Sequence, residues 1–232
     1  MGAIRYTEQL FNHTAPRLMA ITLPIGQRLI SGPVGPLEVL VEPARSSGRR
    51  PNTVGVICHP LPTAGGTMHN KVVTTAARSF CACGMTAVRF QFRGVGASGG
   101  QFDHGHGEQA DLAATITWVR EHVANAVIWL AGFSFGAYVA LRAAQAVAAD
   151  AVIAIAPPVG RWDFSAIVPP LRWMVIQGEE DELVDAQRVC DWATAQPHPP
   201  VLHRMAATSH YFHGRLGDLQ AILHDQMCRW GA

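Results

Sequence analysis

Apolar residues in this chain come in short runs, and the segments between them carry helical spacing. "TVGVICHP" (53–60), "TAVRFQF" (86–92), "AVIWLAG" (126–132), "AVIAIAP" (151–157), "RWMVIQG" (172–178) and "VLHRMA" (201–206) are the runs. Short apolar runs rich in β-branched residues predict strands, and those apolar almost throughout predict strands buried on both faces. Residues 70–83, 108–122, 135–147, 185–195 and 211–230 predict the helices between and after them, the first ended by Gly84. Ahead of this alternation, "QRLISG" and "PLEVLVEPA" flank Pro33-Val34-Gly35, a hairpin signal. Residues 45–52 read as a polar turn, and residues 1–24 as an arm on a single domain spanning 25–232. Strand–helix alternation demands right-handed crossovers. The expected fold is α/β: a doubly wound, mostly parallel sheet with an antiparallel hairpin at one edge.

Composition narrows the function. Of 232 residues, 49% are hydrophobic and 15% charged, so a large core is available and disorder is disfavoured. Eighteen basic against 17 acidic side chains give a net charge of +1, which supports neither a nucleic-acid nor a membrane partner. No apolar stretch approaches a membrane span, and the N-terminal segment shows no signal-peptide pattern, so the expected location is the cytoplasm. Five cysteines, an odd number without a Cys-x-x-Cys pair, read as reduced thiols.

Two glycine turns compete to carry the chemistry. "FRGVGASGG" contains Gly94-x-Gly96-x-x-Gly99, the spacing of a dinucleotide cradle. No helix follows it directly, because "QFDHGHGEQ" intervenes, and the next strand does not end in an acid. No cofactor is therefore expected. The turn instead belongs on the rim of a site, with its glycines letting the loop pass beside the second turn and Arg93 and Ser98 holding it. That second turn, "GFSFG", sits between a buried strand and a helix with no spacer. Gly-x-Ser-x-Gly in that setting is a nucleophile elbow. Ser134 would be lifted above the sheet edge, with Gly132 and Gly136 small because they crowd each other. The Phe135 N–H would face a developing oxyanion at the helix start.

A serine hydroxyl needs a base, and the base needs an acid. Both must come from loops after later strands, in the order Ser, acid, His. Asp181, in "GEEDELV", is the preferred acid, with Asp163 second; Glu179, Glu180 and Glu182 read as solvated. His210, in "TSHYFHG", is preferred as base over His213, which is expected on the last helix. After the 53–60 strand, Pro60 lacks an N–H, so Leu61 is the candidate second oxyanion donor. His104 and His106 stand two apart in a glycine-rich loop too loose for a metal site, and no metal is expected.

With these residues placed, the chain resembles the α/β-hydrolases, and most of all the small lidless bacterial serine hydrolases related to dienelactone hydrolase-like esterases. The resemblance runs from about residue 25 to the end, through "CHPLPTAGGTMHNKVV", "RFQFRGVGASGG", "GFSFGA", "QGEEDELV" and "TSHYFHGRL". It implies Ser134 as nucleophile, Asp181 as acid, His210 as base, and Leu61 and Phe135 as oxyanion donors. Dienelactone hydrolases proper carry cysteine at the elbow, and Ser134 departs from them. Residues 157–171 are too few for a lid domain, which suits small or medium esters, with Trp162, Phe164, Phe133, Phe102 and Tyr211 as candidate lining. The expected activity is ester hydrolysis on a small molecule. Thioester or peptide hydrolysis by the same triad, or a non-catalytic binding module, are the alternatives.

Overall fold

The apolar runs become strands of one sheet. The structure, a computed structural model, describes residues 23–45, 50 and 52–230. Most of the expected arm, and most of the 45–52 turn, lie outside the described residues. Strands β1 (Gly26–Gly32) and β2 (Gly35–Glu42) form the antiparallel hairpin. The others are β3 (Thr53–Cys58), β4 (Thr86–Phe90), β5 (Val127–Phe133), β6 (Ala151–Ile155), β7 (Trp173–Gly178) and β8 (Val201–Met205). The order across the eight-stranded sheet is β1-β2-β4-β3-β5-β6-β7-β8. Pairing is parallel from β4 through β8, and β2 joins β4 antiparallel.

The buried runs serve both faces of the sheet because side chains alternate along a strand. In β5, Ile128 and Leu130 join one apolar cluster, while Trp129, Ala131 and Phe133 join the other. The first cluster takes in α2 (His106–His122), α3 (Phe135–Ala143) and α4 (Ala186–Thr194); the second takes in α1 (Lys71–Ala82) and α5 (Leu216–Trp230). No helix separates β6 from β7, so nothing resembling a lid interrupts the sheet there. No helix among the described residues is long and apolar enough to cross a membrane.

Two helix boundaries differ from expectation for local reasons. Helix α2 begins two residues earlier than Glu108. The Glu108 carboxylate reaches back to accept the backbone N–H groups of Gly105 and Asp103 at 2.7 and 2.9 Å, so it caps the helix rather than opening it. Helix α5 begins at Leu216 rather than Tyr211. Phe212 and Gly214 have positive φ, and Arg215 Nη1 donates to the Ala206 carbonyl at 2.7 Å, so residues 211–215 close a turn and His213 is not helical.

The loop after β4 is held as expected but beside a different neighbour. A Cβ on Gly99 would come within 3.0 Å of the Gly35 Cα, so the glycines let this loop approach the hairpin, not the Ser134 turn. Ser98 Oγ donates to the Gln91 carbonyl at 2.8 Å and accepts the Glu38 N–H at 3.0 Å. Arg93 pairs with Asp111 of α2 at 2.9 Å, with side-chain exposures of 8% and 0%. Removing one member of such a pair strands the other charge in the core. Asp111→Ala should therefore lower the unfolding free energy by about 3–5 kcal/mol. Urea denaturation of that variant and of Arg93→Met/Asp111→Ala measures this, and the double variant should recover part of the loss.

Candidate active site

Ser134 joins the end of β5 to the first residue of α3. Its backbone has φ 53° and ψ −120°, a region side chains other than glycine rarely adopt. Crowding dictates the flanking residues. A Cβ on Gly132 would stand 2.2 Å from the Gly136 carbonyl oxygen, and one on Gly136 would stand 2.3 Å from the Cys58 carbonyl oxygen. The Ser134 N–H is tied to the Ile155 carbonyl at 2.8 Å.

The loops after β7 and β8 continue side by side beyond the strands. Glu179 N–H donates to the Met205 carbonyl at 2.9 Å and Glu180 N–H to the Thr208 carbonyl at 3.1 Å. This lateral pairing brings Asp181 to His210. Asp181 Oδ2 lies 2.7 Å from His210 Nδ1, and His210 Nε2 lies 3.1 Å from Ser134 Oγ. An ionised carboxylate only accepts, so Nδ1 carries the proton and Nε2 is left to accept from the serine hydroxyl. Asp181 Oδ1 also accepts the N–H groups of Leu183 at 2.9 Å and Val184 at 2.8 Å, and Oδ2 accepts from Gln177 at 3.0 Å. Burial raises the pKa of Asp181, but His210 and these N–H donors outweigh it, and the net shift is downward. The Phe133 ring packs 5.1 Å from the His210 ring.

The other candidates are placed elsewhere. Asp163 accepts the Ser165 N–H at 2.9 Å rather than facing His210. His213 lines a neighbouring cavity. Glu182, expected to be solvated, accepts the His210 backbone N–H at 3.0 Å and so helps hold the loop that carries the imidazole. Of the five expected lining residues, Tyr211 alone borders the cavity over Ser134, which measures about 250 Å³. Phe102, Trp162 and Phe164 instead pack into an aromatic cluster with Phe135 and Tyr138.

Leu61 borders the same cavity as Ser134. Neither its N–H nor that of Phe135 has a hydrogen-bond partner among the described residues. The residue that aims the Leu61 N–H is His59, which sequence reasoning did not assign. His59 is fully buried; its Nε2 accepts the Phe92 N–H at 3.0 Å, so its Nδ1 donates to the Pro60 carbonyl at 2.7 Å. The peptide is trans, so anchoring the Pro60 oxygen turns the Leu61 N–H to the opposite side. Gln91 and Arg89 hold the rest of this loop, at the Met68 N–H (3.0 Å) and carbonyl (2.6 Å). The available signal was two polar side chains, both facing one side, in an otherwise apolar strand.

Comparison with known proteins places the chain in a family. The family model described as X-Pro dipeptidyl-peptidase (S15 family) matches residues 39–168, more than half the chain. The chain belongs to this family of α/β-hydrolases. A serine hydrolase without a lid from Xanthomonas campestris is 51% identical, with 90% of this chain and 97% of that one covered and a TM-score of 0.86. An α/β serine hydrolase homologue from Coxiella burnetii is 41% identical, with 88% and 98% covered and a TM-score of 0.83. An uncharacterized protein from Rickettsia prowazekii is 32% identical over 213 residues, covering 87% of this chain and 88% of that one. This α/β-hydrolase is a serine hydrolase of the lidless kind.

Burial lowers the pKa of His59 from 6.5 to about 4, against the opposing hydrogen bond to Pro60. Above pH 6.5 the imidazole is neutral whether the chain is folded or not. Between pH 6.5 and 4 the unfolded chain takes up a proton that the folded hydrolase refuses, so stability falls with pH. The full loss is at most about 3 kcal/mol. His59→Gln keeps a donor and an acceptor but does not titrate, and its unfolding free energy should be flatter over this range in denaturant titrations.

Proposed function

We propose that this hydrolase cleaves small or medium carboxylic esters through an acyl-enzyme, with Ser134, His210 and Asp181 as its triad. The observation that carries the proposal is the continuous relay from Asp181 through His210 to Ser134, at 2.7 and 3.1 Å. His210 Nε2 takes the proton as Ser134 Oγ attacks the ester carbonyl. Asp181, kept ionised by its downward shift, stabilises the imidazolium that forms. The Leu61 and Phe135 N–H groups hold the tetrahedral oxyanion. Nε2–H then protonates the departing alcohol, and water repeats the sequence on the acyl-enzyme.

The family description also brings a peptidase reading. A dipeptidyl-peptidase grips the free ammonium group of its substrate, which calls for carboxylates near the nucleophile. The cavity over Ser134 is bordered by Arg161, and an adjoining one of about 400 Å³ by Lys71, His69 and His213; no carboxylate borders either among the described residues. That lining favours esters over peptides with a free amino terminus.

Ser134→Ala should abolish labelling by a fluorophosphonate probe and lower turnover of short-chain model esters by several orders of magnitude. Retained ester hydrolysis in that variant would refute the proposal. Leu61 has φ −50°, within reach of proline. Leu61→Pro should thus delete the oxyanion donor while keeping the backbone path, lowering kcat by about 10²–10³ with KM little changed. Leu61→Ala, which keeps the N–H, is the control and should stay close to the parent.

A further inference from the structure

The edge of the sheet opposite Ser134 holds a second cluster of reactive side chains. Cys83 caps the C-terminus of α1, three residues ahead of β4, and His224 and Cys228 lie one turn apart on α5. The two sulfurs are 3.6 Å apart. Cys228 Sγ is 3.8 Å from His224 Nε2, and one donor atom from each of the three residues lies within 4.8 Å of the others. Two thiolates bound tetrahedrally to Zn²⁺ stand about 3.8 Å apart, and a thiolate and an imidazole nitrogen about 3.6 Å. The pairs Cys83–Cys228 and Cys228–His224 already have nearly that spacing.

We propose that Cys83, His224 and Cys228 form a Zn²⁺ site that clamps α1 to α5, with water in the fourth position. Cys228 is exposed, so the cluster opens to solvent and an ion can enter. Asp225 Oδ1 lies 3.8 Å from His224 Nδ1, the nitrogen that is farther from Cys228, so a carboxylate stands behind the ring and Nε2 is the ligand. Arg50 orders the last turn of α5 by donating to the Met227 carbonyl at 3.0 Å. On ligation both thiols release their protons to solvent, and two thiolates with a neutral imidazole balance the charge of the ion.

The test is a titration of the full, reduced, metal-stripped chain with Co²⁺ under anaerobic conditions, Co²⁺ standing in optically for Zn²⁺. One equivalent should give a thiolate-to-cobalt charge-transfer band with the visible bands of a tetrahedral ion, and Zn²⁺ should displace it. Zn²⁺ should also raise the melting temperature. Cys228→Ser and His224→Gln, both at exposed positions, should each lower affinity by at least about tenfold and remove the thermal shift. Cys190→Ser should leave both unchanged. Absence of the charge-transfer band in the parent, its persistence in Cys228→Ser, or an equal loss in Cys190→Ser overturns the site.

Discussion

The packing of one strained turn against the end of a neighbouring strand organises the active-site edge. Ser134 holds a left-handed backbone, at a cost of about 1–3 kcal/mol. It persists because its surroundings leave no other path. The Gly136 backbone lies against the Cys58 and His59 carbonyls, Gly132 lies against Gly136, and the Ser134 N–H is bonded to β6. The same closeness puts the loop after β3 over the start of α3, where Leu61 borders the cavity over Ser134 and Phe135 follows the serine in the chain. Strain at Ser134 and the close approach of these two backbones are thus a single arrangement.

Rigidity in that arrangement comes from buried polar groups that never meet a substrate. His59 fixes the Pro60 carbonyl from within the core, and Arg89 and Gln91 fix Met68. On the proposed reading the Leu61 N–H, held this way, need not reorganise as charge develops, and that makes it effective in a site of low dielectric. The cost is a neutral imidazole that the folded state must keep neutral, hence the link between acid stability and the geometry of the loop.

The sheet order, the elbow and the pair Asp181 and His210 were legible because each rests on local pattern: buried runs, glycines that crowd, loops after the right strands. His59 was not, because its role depends on contacts with Phe92, which lies 33 residues away. Glu182 looked solvated because its bond across the structure is to a backbone N–H distant in sequence. The aromatic residues expected in the cleft are apolar in any setting, and only tertiary packing decides between lining and core. Residues 211–215 carry no strong helix breaker except Gly214, so the turn that carries His213 past the site hid inside a helical pattern. The cysteines at 83 and 228 are separated by most of the chain, and counting them could not show that their sulfurs meet.

Ser134 lies past the middle of the chain, whereas Asp181 and His210 arrive on the loops after β7 and β8. Those loops reach the serine by pairing with each other beyond the strand ends. During synthesis the chain through the elbow is therefore made before His210 is. On the reading proposed above, hydrolysis waits until the loop that carries His210 has reached Ser134, so the reactive centre is complete only once the last strand is part of the sheet.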